Sequence, residues 1–328
     1  MTITRRQFLA SSLGAGAAIA VPGLGAAAQT LHLSHIFNLE DPKHLAAEQF
    51  VKRVAEATGG ELIIKVHPLS QIAGLRDGVE GTRLGTIDMT MADTATLGSW
   101  APELGVWSLP FVFRDYDHVL KVMQGPVEAW RVDVIRKKVG LVSIGHAITA
   151  FRVIINSQRP LGSAADIVGL KMRVPEIPVY VSTFRTLQAN PTPIPWGETY
   201  SALQTGTVEG VESDPIGLSL AKFTEVTKFA SRTNHILLDT GLLVNQGKFS
   251  RLSKKNQQVL VDLGQELVSR DLSEKSIVMQ NQTWDDFHKR LQVGEVDLPS
   301  FREKLAPLVD EFSKKYGTQS IMDQINAA

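Results

Sequence analysis

From Ser253 to about Leu291 the sequence keeps a helical apolar period, with Leu260, Leu263, Leu267 and Val268 on one stripe. Globular helices usually run 8–20 residues. A helix over residues 253–291 would extend roughly 58 Å at about 1.5 Å per residue. No small domain is that long, so this segment is expected to run along two. That fixes the outline of the fold before any other element is placed.

The rest of the chain supplies material for two such domains. Leu31–Phe37 alternates like a strand, and Asp41-Pro42 then offers an N-cap with proline at the first helical position. Ala47, Phe50, Val51 and Val54 form an apolar stripe that stops at Thr58-Gly59-Gly60. A strand over 62–66, a helix over about 73–84 and a buried strand over 87–92 follow. This strand–helix alternation predicts an α/β domain with a largely parallel sheet. The rhythm returns with strands at 140–146, 151–155 and 169–174, and helices near 178–188 and 198–205. Two α/β domains joined by crossing segments enclose a cleft, the commonest place for a small ligand.

The chain has 328 residues with 34 basic and 34 acidic side chains, so nothing in its charge points to nucleic acid. It has no cysteine, which excludes disulfides, zinc–thiolate and iron–sulfur sites, and thiol nucleophiles. Residues 1–28 read as an export signal: Arg5 and Arg6, an apolar run from Leu13 to Leu24, and Ala26-Ala27-Ala28 as a cleavage site after Ala28. The paired arginines before Phe8 and Leu9 fit the twin-arginine type. Gly14, Gly16 and Pro22 break the run short of the roughly 18–20 apolar residues a membrane span needs. Removing the two leader arginines leaves 32 basic against 34 acidic side chains. Export implies a periplasmic location.

Catalytic motifs are missing. There is no G-x-S-x-G and no P-loop, and GAGAAI at 14–19 follows no strand. His32 and His35 lie three apart on a strand and so face opposite sides, which argues against a shared metal. The reading is therefore of no catalytic residues, no cofactor and no metal. The informative stretch is GLKMRVPEIP, residues 169–178. Leu170, Met172 and Val174 share one strand face, Lys171 and Arg173 the other, and Pro175 ends the pattern. A guanidinium here is either solvated, paired with a structural carboxylate, or waiting for an anion. PTPIPW (191–196) reads as a rigid connection, the helix after Glu198 ends at Gly206, and VEGVES (208–213) reads as a short strand.

GLKMRVP, PTP and ETYSALQTGTVEG, in this order, resemble the solute-binding proteins of tripartite ATP-independent periplasmic (TRAP) transporters, of the C4-dicarboxylate-binding type. DPKHLAAEQFVKRVAEATGG, GTIDMTMAD, WSLPFVF and FTEVTKFASRTNH extend the resemblance over the whole mature sequence. It implies a two-domain periplasmic binding protein, type II-like, with the ligand cleft between the domains and the long C-terminal helix spanning both. Domain I is expected at 29–150 plus about 239–278, and domain II at 151–238 plus about 279–328. The implied function is a receptor, not an enzyme, that closes on a small organic acid and hands it to the membrane subunits of the transporter, most such receptors being monomers.

The resemblance assigns Arg173 to the ligand carboxylate, and a guanidinium fork suits that group through two parallel hydrogen bonds. It places a second donor at Arg152, a cleft wall at Trp196 and an acceptor for a ligand hydroxyl or amine at Asp93. Ser213, Asn38 and His35 are further candidates, the last two with structural roles as the alternative. Sialic-acid receptors carry an arginine where this chain has Thr96 and an asparagine where it has Ser213, which argues against that ligand. Asp93, Thr94 and Ser213 favour a sugar acid or hydroxy acid over a C4-dicarboxylate or keto acid. The rivals are a periplasmic lyase or isomerase working in the same cleft, and a receptor for an ABC importer.

Overall fold

A computed structural model describes residues 28–328. The leader reading rests on residues outside that range. Eleven strands are described: β1 Gln29–Ser34, β2 Leu62–His67, β3 Met89–Ala92, β4 Leu141–Phe151, β5 Val153–Asn156, β6 Lys171–Val174, β7 Asn190–Pro193, β8 Gly210–Ser213, β9 Phe229–Ser231, β10 Leu237–Asn245 and β11 Gln292–Gly294. They form two mixed sheets, in the orders β2-β1-β3-β10-β4 and β11-β9-β5-β8-β6-β7. β1 runs parallel to β2 and β3, and β6 runs parallel to β7 and β8. β10 and β5 lie antiparallel to their neighbours. The protein has the expected two-domain, type II-like architecture.

The chain crosses between the sheets at two strand junctions. Only Arg152 separates β4 from β5, and 232–236 separates β9 from β10. The crossings are tied together, since the Arg152 amide donates to the Ile236 carbonyl at 2.8 Å.

The third connection is the long helix, which runs without a break from Lys254 to Arg290. Leu260, Leu263, Leu267, Val268 and Leu272 enter the core of the first sheet with Phe50, Ile144 and Leu242. Trp284 and Phe287 enter the core of the second with Val153, Val211 and Phe223. One feature differs from the expected even helix: Gly264–Leu272 is wound as a π-helix. Here the helix rides directly on β4. A Cβ on Gly264 would sit 2.2 Å from the Ile144 carbonyl oxygen, and one on Gly145 would sit 2.7 Å from the Gly264 oxygen. β4 is an edge strand, and the helix answers its outward amides with side chains. Ser269 accepts from His146, Ser273 from Ile148 and Gln280 from Phe151, each at 2.8–2.9 Å.

The Asn-Pro-Thr-Pro stretch is also more than a connection, because Asn190–Pro193 forms edge strand β7. Prolines are tolerated there, where a missing N–H faces away from any neighbour.

Candidate functional site

Between the sheets lies a cleft of about 640 Å³, within the range of small-ligand sites. Its charged walls come from the carboxyl ends of parallel strands in both sheets, the usual ligand position in open α/β sheets. β1 leads into Asn38, Asp41 and Lys43, and β3 into Asp93; β6 carries Arg173, and β8 leads into Ser213 and Asp214. β10 adds Asp239, and the β4–β5 crossing adds Arg152.

Arg173 is 3% exposed, yet among the described residues no carboxylate is bonded to it. Its Nε donates to the Ile194 carbonyl at 2.9 Å, and Trp196 lies under its plane at 5.3 Å. Among the described residues its two terminal nitrogens have no protein acceptor. Burial, with the Arg152 charge nearby and Glu212 working against both, lowers its pKa to about 10, so it stays charged at neutral pH. Trp196 is half-buried, stacks at a tilt on Phe223 (4.9 Å between ring centroids) and lines the cleft as well. Wall and core packing are thus one arrangement.

Arg152 is placed differently. Its Nε and Nη2 grip the Glu212 carboxylate, with Nη2 at 2.8 Å from Oε1, and Nη2 also reaches the Glu212 carbonyl at 3.0 Å. Its guanidinium lies 4.7 Å over the Tyr180 ring. Burial alone would depress Arg152, but the Glu212 carboxylate outweighs it and raises the pKa above the ordinary value. Among the described residues only Nη1 is left without an acceptor, so the second-donor expectation shrinks to the two N–H groups of that one nitrogen.

Asp93 caps the short helix Thr94–Leu97, its Oδ1 accepting from the Thr96 amide at 2.7 Å and the Thr96 hydroxyl at 2.6 Å. Thr96 therefore serves Asp93. The other carboxylate oxygen, Oδ2, has no protein donor among the described residues. Burial and the neighbouring Asp239 raise the Asp93 pKa to about 6. Ser213 lines the cleft and donates to Asp214 at 3.4 Å. Asn38 lines it while its Oδ1 accepts from the Glu40 amide at 3.1 Å. His35 does not belong with them. It is buried beside Phe37 and His44, with Nδ1 accepting from the Phe37 amide at 3.2 Å and Nε2 3.2 Å from His44 Nδ1. The chain turns inward after β1, and residues 36–38 reach the cleft instead.

Several charged groups of the cleft escaped the sequence reading. Lys43 is buried between Asp41 (3.3 Å) and Asp214 (3.7 Å), which belong to different lobes. Asp239 accepts from the Thr94 amide at 3.0 Å and pairs with His146 at 2.6 Å. Behind it, Glu128 bonds Arg131 at 2.6 Å and lies 3.3 Å from His146. Asp41-Pro42 was legible as an N-cap and Asp214-Pro215 carries the same signature, but a cap signature does not by itself mark a cleft position; Lys43 and Asp239 carry no local signal.

The profile of bacterial extracellular solute-binding protein family 7 (DctP) matches residues 33–315. The 2,3-diketo-L-gulonate-binding periplasmic protein YiaO of Escherichia coli is 34% identical over 240 residues, 73% of each chain. A TRAP periplasmic solute binding protein from a Polaromonas species, solved with D-erythronate, superposes with a TM-score of 0.85 at 29% identity, covering 91% of this chain and 97% of that one. Another, from Sulfurospirillum deleyianum with bound succinate, gives 0.82 at 25% identity, covering 91% and 98%. One diacid among three different acids does not support the narrower expectation of a C4-dicarboxylate type.

Proposed function

The chain belongs to family 7 of the bacterial extracellular solute-binding proteins, and we propose that it is a periplasmic TRAP receptor that holds a small organic acid through Arg173 and delivers it to the membrane subunits of its transporter. The carrying observation is the state of Arg173: a buried guanidinium on the cleft wall with both terminal nitrogens free of acceptors among the described residues. A carboxylate fits that fork in two charge-assisted bonds. Trp196 flanks the pair, Arg152 Nη1 adds a donor, and Asp93 Oδ2, Ser213 and Asn38 serve ligand hydroxyls. That polar lining favours a sugar acid or hydroxy acid.

On this reading residues 29–150 with about 239–278 make domain I and 151–238 with about 279–328 make domain II, in keeping with the strands each sheet contains. The two lobes close on the ligand, which favours the closed form by its differential affinity. The receptor is monomeric. Family membership favours this reading over an enzyme or an ABC-importer receptor.

A thermal-shift and calorimetry panel of aldonates, uronates, hydroxy acids and keto acids tests it. A bound acid at about 100 times its Kd should stabilise by roughly 2.7 kcal/mol, one ligand per chain, recovered unchanged. Arg173→Gln removes hydrogen bonds contributing roughly 1.5–3 kcal/mol each, so affinity should fall by about two orders of magnitude. Equal binding by Arg173→Gln would sink the pairing, and turnover of any panel member would return the enzyme reading.

A further inference from the structure

The buried charges that line the cleft divide into groups already compensated and one that is not. Arg152 is matched by Glu212. Asp239 is matched by His146, behind which Glu128 matches Arg131. Lys43 has two carboxylates, Asp41 and Asp214, and so forms a group with one negative charge in excess. Asp93 is a further acid with no cation bonded to it among the described residues. The remaining lining cation, Arg76, is exposed, stacks 5.6 Å over the Trp100 ring and neighbours exposed Asp77. The other exposed lining charges, Glu176 and Glu198, are acids. Among the described lining residues, Arg173 alone is buried and positive with no carboxylate bonded to it.

Accepting the acid-receptor reading above, we propose that this cleft selects acids with a single carboxylate and rejects dicarboxylates of the same length. Once Arg173 holds one carboxylate, a second enters a site with no other buried unpaired cation among the described residues, only the free Nη1 of the already paired Arg152, and with Asp93, Glu176, Glu198 and the net-negative Lys43 group on its walls. A buried ion without a partner is far costlier than a buried hydroxyl that finds an acceptor, and like charges juxtaposed in an interface oppose binding strongly. A hydroxyl at the same position meets acceptors such as Asp93 Oδ2. The succinate-bound relative shows that the fold itself does not forbid diacids, so the discrimination belongs to this chain's own side chains.

Matched pairs differing only at the far carbon test this by isothermal calorimetry at pH 7.5: galactonate against galactarate, erythronate against meso-tartrate, glycerate against tartronate. The expected result is binding of at least one monoacid, with its diacid partner at least a hundredfold weaker. A second variant probes the cause. Asp214→Asn keeps a side chain that caps helices well and removes the excess negative charge beside Lys43. It should narrow the monoacid-to-diacid ratio by about tenfold or more. Diacids binding within tenfold of their monoacid partners, or an unchanged ratio in Asp214→Asn, would overturn the inference while the receptor reading stands. Failure of every acid in both series would overturn the receptor reading itself.

Discussion

His35 and Asp93 are both buried and respond to acid in opposite directions. Burial and the neighbouring His44 push the His35 pKa down from 6.5 to about 3. The unfolded chain takes up that proton first, so the stability His35 contributes is complete above pH 6.5 and drains away as pH falls towards 3, by up to about 1.4 kcal/mol per unit. Asp93 is raised from 3.8 to about 6. Its ionisation is harder in the fold, so it costs stability as pH rises through that window, about 3 kcal/mol at most. Melting curves between pH 4 and 8 should show it: His35→Gln flattens the acid limb, whereas Asp93→Asn raises Tm at pH 7 and leaves it nearly unchanged near pH 4. A rise in Tm for Asp93→Asn at both ends would mean that the carboxylate is not strained by burial. Legibility at this scale followed distance along the chain. Alternation and Pro175 placed Arg173 on a strand end, while its ligand role was an expectation from the family resemblance alone. The Arg152–Glu212 pair was not legible, because its partners are 60 residues apart and meet only through the β5–β8 register.

At the level of elements, the close seat of the long helix on β4 makes the sharpest demand on single side chains. Gly264→Ala would press a methyl group into the Ile144 carbonyl, and overpacking of this kind typically costs about 1–3 kcal/mol. Ser273→Ala should cost a similar about 1–3 kcal/mol by leaving the buried Ile148 amide unpaired. Urea unfolding midpoints measure both, and a Gly264→Ala protein as stable as the parent would show that the helix can lift away. The length of this helix was legible from its apolar period, as were the strands that alternate cleanly. The π-wound segment was not, because Gly264 reads as an ordinary weak point in a helix until the strand beneath it is known. The edge strand at 190–193 was hidden for a related reason: proline argues against a strand except at the one sheet position where its missing N–H does no harm.

Across the whole molecule, the Lys43–Asp214 contact joins the helix that follows β1 to the turn that follows β8, so one ion pair spans the cleft. Both partners are buried, and removing one member of such a pair typically costs about 3–5 kcal/mol. Lys43→Gln should therefore favour the open form. Small-angle scattering of the ligand-free protein should give a larger radius of gyration than the parent, with a saturating acid restoring the smaller value. Equal radii without ligand would show that the pair does not hold the lobes together. Two lobes and a cleft were foreseeable from the long helix and the repeated strand–helix rhythm. Which side chains meet across the gap was not, because no local pattern encodes contacts between lobes. The β4–β5 crossing has one further consequence. Arg152 is its only residue, its amide is pinned to Ile236 of the returning connection and its side chain is anchored to Glu212. A joint that short has no slack, so the free Nη1 of Arg152 turns with the second lobe like a pointer fixed to a dial, and on the proposed reading whatever angle the lobes adopt is passed directly to the ligand.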